Sequence, residues 1–312
     1  MKILFFGSSH YCLPIIKKLH ELKWLSAIIT KPGGKIAEFA RENQITDFTV
    51  SSPSELIGLK GKLNSQNPDL AIVADFGLII PPQIFNIPKF KTLNIHFSKL
   101  PDLRGASPVQ YTILKGDKSA WVSVIVMNQG MDTGDIIWQK LVLQGDLLQD
   151  YTSQDLYQKL FNIISDSLPN IINKYAQGNL KPQKQDHSKA TYTRILKRED
   201  GFIPWELILL ALKNQKPNQH QVSKWPVSKI LPAQFCILHF AFCIRQALLA
   251  FTPWPGLWTE VNIKGQKKRL KILKVKLDPS AYCLVPDIVQ LEGKTPVTWK
   301  QFLEGYQSII PA

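Results

Sequence analysis

The segment KILFFGSSHYCLPIIKKLHEL, residues 2–22, contains two hydrophobic patterns in succession. An unbroken apolar run ends at Gly7, and after it the apolar residues Leu13, Ile16 and Leu19 recur at helical spacing. The pattern predicts a buried β-strand followed by an α-helix. Further segments continue the alternation downstream, namely LSAIIT (25–30), KIAEFAREN (35–43), LAIVADFGLII (70–80) and TLNIHFS (92–98). Strands and helices that alternate in this way predict an α/β fold with a doubly wound, mostly parallel sheet.

The length and the C-terminal pattern indicate a second, smaller domain. A chain of 312 residues is longer than one average domain needs. Short strand-like segments separated by turns lie near its end, namely LWTEVNI (257–263), RLKILKVKL (269–277) and YCLVPDIVQL (282–291). Periodic short strands of this kind are typical of a small β-barrel.

The chain is strongly basic, with a formal net charge of +14. This charge favours a polyanionic partner such as a nucleic acid or a phosphorylated metabolite. No run of eighteen apolar residues and no basic-then-apolar leader is visible, so we expect a cytoplasmic protein without a membrane partner. The turn GSSHYC after the first strand lacks the G-x-G-x-x-G pattern, which disfavours a dinucleotide cofactor. The cysteines lack metal-ligand spacing, and we expect buried free thiols at Cys12, Cys236, Cys243 and Cys283.

Two polar side chains lie two residues apart at the end of a predicted strand. Because side chains alternate between the faces of a strand, Asn94 and His96 project to the same face. In open α/β sheets ligands bind outside the carboxyl ends of the strands, where the loop FSKLPDLRG (97–105) follows this pair. A later loop, MNQGMDTGD (127–135), contributes Asp132 and Asp135. From spacing alone these carboxylates are as consistent with ordinary turns as with a site.

Three motifs carry a resemblance to a known family. They are N-x-H at 94–96, S-x-L-P-x-x-R-G-A-x-P-x-Q at 98–110 and M-D-T-G-D-I at 131–136. In this order they resemble the folate-dependent formyltransferases, and within them the methionyl-tRNA formyltransferases. Similar strings extend the resemblance over nearly the whole chain, at residues 1–14, 74–96, 190–205, 250–261, 268–274 and 289–306.

The resemblance implies a domain organisation and an activity. It implies an N-terminal catalytic domain (1–187), a linker (188–206) and an OB-like tRNA-binding domain (207–312) with a basic insertion near 206–235. The implied reaction transfers a formyl group from 10-formyltetrahydrofolate to the α-amine of methionine on initiator tRNA. Formyl transfer of this kind needs no metal, because side chains can stabilise the oxyanion and move the protons. We expect a monomer with initiator methionyl-tRNA as its partner.

The resemblance also implies roles for individual residues. Asn94 would donate to the formyl oxygen, His96 would add a second donor, and Asp132 would orient the imidazole and relay protons. Whether Asp132 or His96 accepts the amine proton stays open. The family's folate-binding stretch falls on Ser98, Lys99, Leu100 and Pro101, and the pterin would lie against Leu78, Ile79 and Ile80, which are equally consistent with plain sheet core. The predicted tRNA contacts are Lys267, Lys268 and Arg269.

The chain departs from the family pattern in two segments. TKPGGKIAEFA (30–40) is short where relatives carry a long basic loop, which leaves Lys31 and Lys35 there. Between Trp205 and Pro253 the chain is long, and its Gln, Lys and Pro content predicts an exposed loop in which Trp225 could stack on an unpaired base. Two interpretations of that loop stay open: a solvated insertion without a ligand, which the composition slightly favours, or further phosphate contacts at Lys213, Lys216, Lys224 and Lys229.

Two other functions are compatible with parts of the sequence. A sugar-nucleotide N-formyltransferase would share the Asn, His and Asp residues and the folate donor, but the basic C-terminal domain argues against it. A noncatalytic RNA-binding protein would not need the three residues at all.

Overall fold

The computed structural model describes residues 1–145, 150–278 and 283–310. Contacts separate these described residues into two units. The first unit consists of those that fall within 1–108, 119–145 and 156–194, and the second of those that fall within 109–118, 146–155 and 195–312. The strands are β1 Ile3–Phe6, β2 Leu25–Thr30, β3 Asp47–Thr49, β4 Leu70–Val73, β5 Thr92–His96, β6 Arg104–Gly105, β7 Ser119–Val126, β8 Ile136–Gln144, β9 Tyr192–Thr193, β10 Leu257–Ile263, β11 Gln266–Asp278, β12 Cys283–Leu291 and β13 Val297–Thr298.

The α-helices alternate with the strands in the first part of the chain and cluster in its second part. They are α1 Leu13–Glu21, α2 Gly34–Glu42, α3 Pro53–Gly58, α4 Lys60–Ser65, α5 Pro82–Phe85, α6 Pro108–Lys115, α7 Ser153–Ala176, α8 Trp205–Leu212, α9 Gln219–Ser223, α10 Ala233–Leu238, α11 Phe240–Phe251 and α12 Trp299–Gly305. In the described parts of the chain no helix is both long and apolar enough to cross a membrane.

The first unit is built on a seven-stranded sheet in the order β3-β2-β1-β4-β5-β7-β8. The strands from β3 to β5 pair in parallel, and β7 and β8 add antiparallel pairs at one edge. All four residues of β1 and of β4 are buried, as expected for parallel strands covered on both faces. The predicted doubly wound, mostly parallel sheet is therefore confirmed.

The strand predicted over residues 70–80 is shorter in the structure. β4 ends at Val73, because the chain then turns through left-handed backbone at Asp75 (φ +46°) and Gly77 (φ +70°). The residues after Val73 are still mostly apolar, but they do not extend the strand. Its last residue, Ile80, packs in the core of the first unit without belonging to the sheet.

The second unit contains an antiparallel sheet in the order β10-β11-β12-β13, which confirms the smaller C-terminal β domain. Alternate residues of β10 are buried because one face of this strand packs inward. The inward face meets α12, and the core between them includes Val261, Leu270, Val289 and Phe302.

The basic segment before this sheet is folded rather than an exposed loop. It forms α8, α9 and α10, and Trp225 between them is fully buried, with its ring edge-on to Phe240 at a centroid distance of 6.4 Å. The expectation that Trp225 stacks on an unpaired base is therefore wrong, since the apolar ring is part of the core. The segment's lysines do remain exposed, at Lys213, Lys216, Lys224 and Lys229.

The cysteines behave as small apolar residues where they are described. Cys12, Cys236 and Cys243 are free and buried. Burial raises the pKa of the Cys12 thiol well above its ordinary value, and the thiol donates to the Ala74 carbonyl. The side chain of Cys283 lies outside the described residues.

Candidate active site

Strand β5 brings Asn94 and His96 to one face of the sheet. Leu93 and Ile95 alternate with them and are buried on the opposite face. Asn94 is half-buried, and His96 is 5% exposed. The pair lies at the carboxyl end of a strand between β4 and β7, which is where an open α/β sheet offers room for a ligand.

Asp132 approaches this pair from the loop between β7 and β8. Its backbone is left-handed, with φ at +53°. Its Oδ1 accepts a hydrogen bond from Asn94 Nδ2 at 3.1 Å, and its Oδ2 accepts one from the Gly105 N–H at 2.7 Å. The structure thus brings together the three residues to which the sequence analysis gave catalytic roles. Both oxygens of the carboxylate are held in place.

The imidazole of His96 has a defined tautomer in this arrangement. Nε2 lies 2.9 Å from the Leu103 carbonyl oxygen, which can only accept, so Nε2 carries a proton. Nδ1 lies 3.6 Å from Asp132 Oδ2. In the neutral ring Nδ1 is therefore a proton acceptor, and after protonation it faces a carboxylate that stabilises the imidazolium.

The short parallel pair of β6 and β9 supports the loop after β5. Arg104 and Gly105 pair with Tyr192 and Thr193, and the Leu103 N–H donates to Thr191 Oγ1 at 2.8 Å. This pairing fixes the carbonyl that holds His96 and the N–H that holds Asp132. In the sequence, Arg104 and Gly105 are only two letters of a motif, and no role is predicted for either.

A glutamine that the sequence analysis did not single out contacts the loop of Asp132. Gln185 is buried, and its Nε2 donates to the carbonyl oxygens of Asp132 and Gly134. Its Oε1 accepts from Arg104. No local pattern around Gln185 signals this role, because its partners lie about fifty and eighty residues earlier in the chain.

The predicted folate-binding stretch follows directly after His96. Ser98 and Leu100 are buried, and the Leu100 N–H donates to Ser123 Oγ at 3.3 Å. The Leu100–Pro101 peptide bond is cis. Lys99 is exposed, and its Nζ lies 4.7 Å from the centre of the Trp121 ring. The backbone of the stretch is anchored to β7, Pro101 is partly exposed, and Lys99 is exposed to solvent.

The three residues predicted to lie against the pterin have different environments. Ile80 is buried in the core, and Leu78 is partly buried against the same core. Ile79 is 75% exposed. Of the three, Ile79 is thus the side chain most free to contact a ligand, whereas Ile80 has a structural role.

The predicted tRNA-contacting residues lie on β11. Lys267 and Arg269 project to one face, and Lys268 projects to the other, which it shares with the core residue Leu270. The Arg269 guanidinium lies 4.7 Å from the centre of the Trp258 ring. Lys267 is 83% exposed, with Glu260 at 3.9 Å. Two of the three cations therefore share a surface.

The shortened segment after β2 leads directly into α2. Gly33 and Gly34 have left-handed backbone, with φ at +75° and +81°, and Lys31 and Lys35 are exposed. In the parts of the chain that the structure describes, no three His, Cys, Asp or Glu side chains are grouped so that they could hold a metal ion.

The chain is similar in sequence and in fold to known formyltransferases. Residues 1–172 match the formyl transferase family. The methionyl-tRNA formyltransferase of Clostridium acetobutylicum is 32% identical over 216 residues, which covers 66% of this chain and 69% of that protein. That of Clostridium novyi is 28% identical over 322 residues, 98% of this chain and 97% of that protein. The solved structure of the enzyme from Clostridium thermocellum has a TM-score of 0.56 at 19% identity, covering 93% of this chain and 99% of that one, and shares the fold.

Proposed function

Because this chain belongs to the formyl transferase family, we propose that it transfers the formyl group of 10-formyltetrahydrofolate to the α-amino group of methionine on initiator methionyl-tRNA. The product is N-formylmethionyl-tRNA, which serves translation initiation in the bacterial cytoplasm. Relatives named methionyl-tRNA formyltransferase support this assignment, one of them over 98% of the chain.

The observation that carries the proposal is the cluster of Asn94, His96 and Asp132. Asn94 has two amide N–H groups, and since one is donated to Asp132, the other can stabilise the oxygen of the formyl group. His96 Nδ1 can accept a proton next to a carboxylate that stabilises the resulting charge. An oxyanion donor beside a general base suits acyl transfer to an amine.

The reaction can be written with these groups alone. The amine nitrogen attacks the formyl carbon, and the tetrahedral oxyanion is stabilised by Asn94. His96 Nδ1 takes the proton from the attacking nitrogen and becomes an imidazolium that faces Asp132. When the bond between the formyl carbon and N10 of the folate breaks, its electron pair stays on N10, and the imidazolium returns the proton there.

We assign the folate to the stretch from Ser98 to Pro101 and to the exposed Ile79. A pterin needs apolar contact and backbone hydrogen-bonding groups more than charge. Lys99 is a cation that could interact with the carboxylates of the donor's glutamate tail. We assign the tRNA phosphates to the face of β11 that carries Lys267 and Arg269, because a basic strand on a sheet surface suits a polyanion.

The experiment that tests the function compares acceptors at equal concentration. The purified protein is supplied with 10-formyltetrahydrofolate and with initiator methionyl-tRNA, elongator methionyl-tRNA or a nucleotide-linked amino sugar. We expect formylation of the initiator tRNA, measured as acid-stable formylmethionine. The ratio of turnover on initiator tRNA to turnover on elongator tRNA measures how well the protein distinguishes the two. It thus tests whether this discrimination is retained with the short segment at Lys31 and Lys35.

The alternatives give different results in the same experiment. Turnover on the amino sugar alone would identify a sugar-nucleotide N-formyltransferase. Binding of tRNA without turnover on any acceptor would identify a noncatalytic RNA-binding protein. Either result overturns the proposed function.

A further inference from the structure

Arg104 is a buried cation one residue before the N–H that holds Asp132. The residue is 1% exposed. Its Nε and Nη2 both donate to Gln185 Oε1, at 3.1 and 2.7 Å, and its Nη2 also lies 3.0 Å from His187 Nδ1. Nη1 lies 3.4 Å from the Tyr192 hydroxyl. A buried guanidinium is costly unless its donors find partners, and here each of its three nitrogens lies within hydrogen-bonding distance of Gln185, His187 or Tyr192.

The guanidinium determines which way the amide of Gln185 points. Arg104 can only donate, so the amide must turn its oxygen towards Arg104. Its nitrogen then donates to the carbonyl oxygens of Asp132 at 2.8 Å and of Gly134 at 2.7 Å. Both N–H groups of Gln185 are therefore used on the turn that contains Asp132.

That turn needs support because its conformation is uncommon. Asp132 has a φ of +53°, a left-handed conformation that residues other than glycine rarely adopt. Arg104 and Gly105 support Asp132 through two separate sets of hydrogen bonds. The Gly105 N–H binds the Asp132 carboxylate directly, and the Arg104 side chain acts on the Asp132 carbonyl through Gln185.

We propose that Arg104 and Gln185 are positioning residues that keep the Asp132 carboxylate aligned with Asn94 and His96. The proposal rests on the function proposed above. If it is right, a substitution at either residue displaces the Asp132 carboxylate. Such a substitution therefore lowers kcat and leaves substrate binding unchanged. Misplacing a catalytic group by about 1 Å can cost about a hundredfold in rate.

The kinetic test uses Gln185→Glu. Glutamate keeps the oxygen that Arg104 binds, so the buried guanidinium stays paired, but it has no N–H for the carbonyls of Asp132 and Gly134. We expect kcat to fall between about tenfold and a hundredfold, with KM for both substrates within about threefold of the unmodified protein. The matched control is Gln183→Glu, the same change two residues earlier at an exposed position, which should leave kcat unchanged.

A double-mutant comparison distinguishes positioning from general structural damage. In a protein that already carries Asp132→Asn, Gln185→Glu should reduce kcat by less than about threefold, because the group it positions is already impaired. Arg104→Lys keeps the charge but loses the planar fork, and it should give a smaller fall in kcat than Gln185→Glu. Full additivity of the two changes, or a loss seen mainly in KM, would overturn the proposal.

A measurement without catalysis keeps this proposal separate from the proposed function. The Gly105 amide reports directly on Asp132, because its N–H binds that carboxylate. We expect its hydrogen exchange to be at least about tenfold faster in Gln185→Glu and unchanged in Gln183→Glu. Unchanged exchange in Gln185→Glu refutes the positioning role even if the protein formylates no acceptor. Failure of the unmodified protein to formylate methionyl-tRNA contradicts only the proposed function.

Discussion

At the scale of single residues, Asp132 has two hydrogen-bond acceptors and uses both. Asn94 and Gly105 each donate to one oxygen of the carboxylate. Asp132→Asn replaces one oxygen with a donor, so one of the two bonds is lost and the charge that faces His96 disappears. We predict a protein that folds and binds the folate but loses at least about a hundredfold in kcat, measured by single-turnover formylation.

The neighbouring carboxylate supplies the control for that variant. Asp135 lies in the same loop, but its side chain has no role in the cluster described above. Asp135→Asn should therefore retain nearly normal kcat. Near-normal turnover in Asp132→Asn would remove Asp132 from the mechanism.

Asn94 should act mainly in the transition state. Its second amide N–H is the group proposed to stabilise the oxyanion, and a bond to an oxyanion is stronger than a bond to a neutral carbonyl oxygen. We predict that Asn94→Ala reduces kcat by about a hundredfold or more, while the Kd for a stable folate analogue, measured by titration calorimetry, changes by less than about fivefold. Equal losses in kcat and affinity would make Asn94 a binding residue.

The residues of the site differ in how far the sequence predicts them. The common face of Asn94 and His96 follows from strand alternation. The position of Asp132 follows only from the family resemblance, because its approach depends on a left-handed turn. Gln185 and the His96 tautomer could not be predicted, since they depend on contacts with distant segments and with the Leu103 carbonyl.

At the scale of elements, the two-residue strands β6 and β9 depend on a glycine. Gly105 has φ at +109°, and a Cβ there would collide with the Thr193 carbonyl oxygen of the paired strand. We predict that Gly105→Ala separates this pair, lowers the Tm and reduces kcat, because the N–H that holds Asp132 moves. Thermal unfolding and steady-state turnover measure the two effects.

Substitution of a second glycine separates the two costs of Gly105→Ala, the collision with the paired strand and the unfavourable backbone conformation. Gly178 also has a positive φ, +78°, but open space surrounds its Cβ direction. Gly178→Ala should cost only the conformational term, roughly 1–2 kcal/mol, with normal turnover. If both variants behaved alike, the contact with Thr193 would not be what requires glycine at position 105.

Helices and strands are predictable from the sequence where a single hydrophobic periodicity is present. They are poorly predictable where apolar spacing and loop-like composition point to different structures. Strong apolar periodicity located α1 and β5 within a few residues. The stretch FCILHFAFCIRQALLAF (235–251) has apolar residues at the spacing of one continuous helix, but it is divided between α10 and α11, because His239 leaves helical backbone with φ at −118° and ψ at 42°. The polar residues around Trp225 predict a loop, whereas the apolar side chains of Val222, Trp225 and Val227 are buried in a core.

At the scale of the whole molecule, the net charge of +14 implies strong salt dependence of any binding to a polyanion. The number of phosphates engaged by one surface is limited by how many cations face it. On β11, Lys267 and Arg269 share a face, and Lys268 lies on the face that packs towards the core. The sequence identified the basic strand, but only the register of the sheet separates its cations.

We predict that Lys267 and Arg269 each engage about one tRNA phosphate. Replacing both with Gln should weaken tRNA binding and flatten the slope of log affinity against log salt by up to about two units, because each neutralised phosphate contributes a little under one unit. Glutamine is chosen because its stem keeps part of the packing of Arg269 on Trp258. Fluorescence anisotropy of labelled initiator tRNA at several salt concentrations measures the slope.

Lys268→Gln is the matched control on the same strand. In this variant the slope of log tRNA affinity against log salt should change by less than about half a unit. The Kd for the folate analogue should be unchanged in both variants, because the folate is assigned to residues of the first unit and β11 belongs to the second. Equal slope changes for the control and for the double variant would mean that total charge, rather than this face, determines binding. An unchanged slope in the double variant would place the tRNA contacts elsewhere, with the exposed lysines of residues 213–229 as the next surface to test.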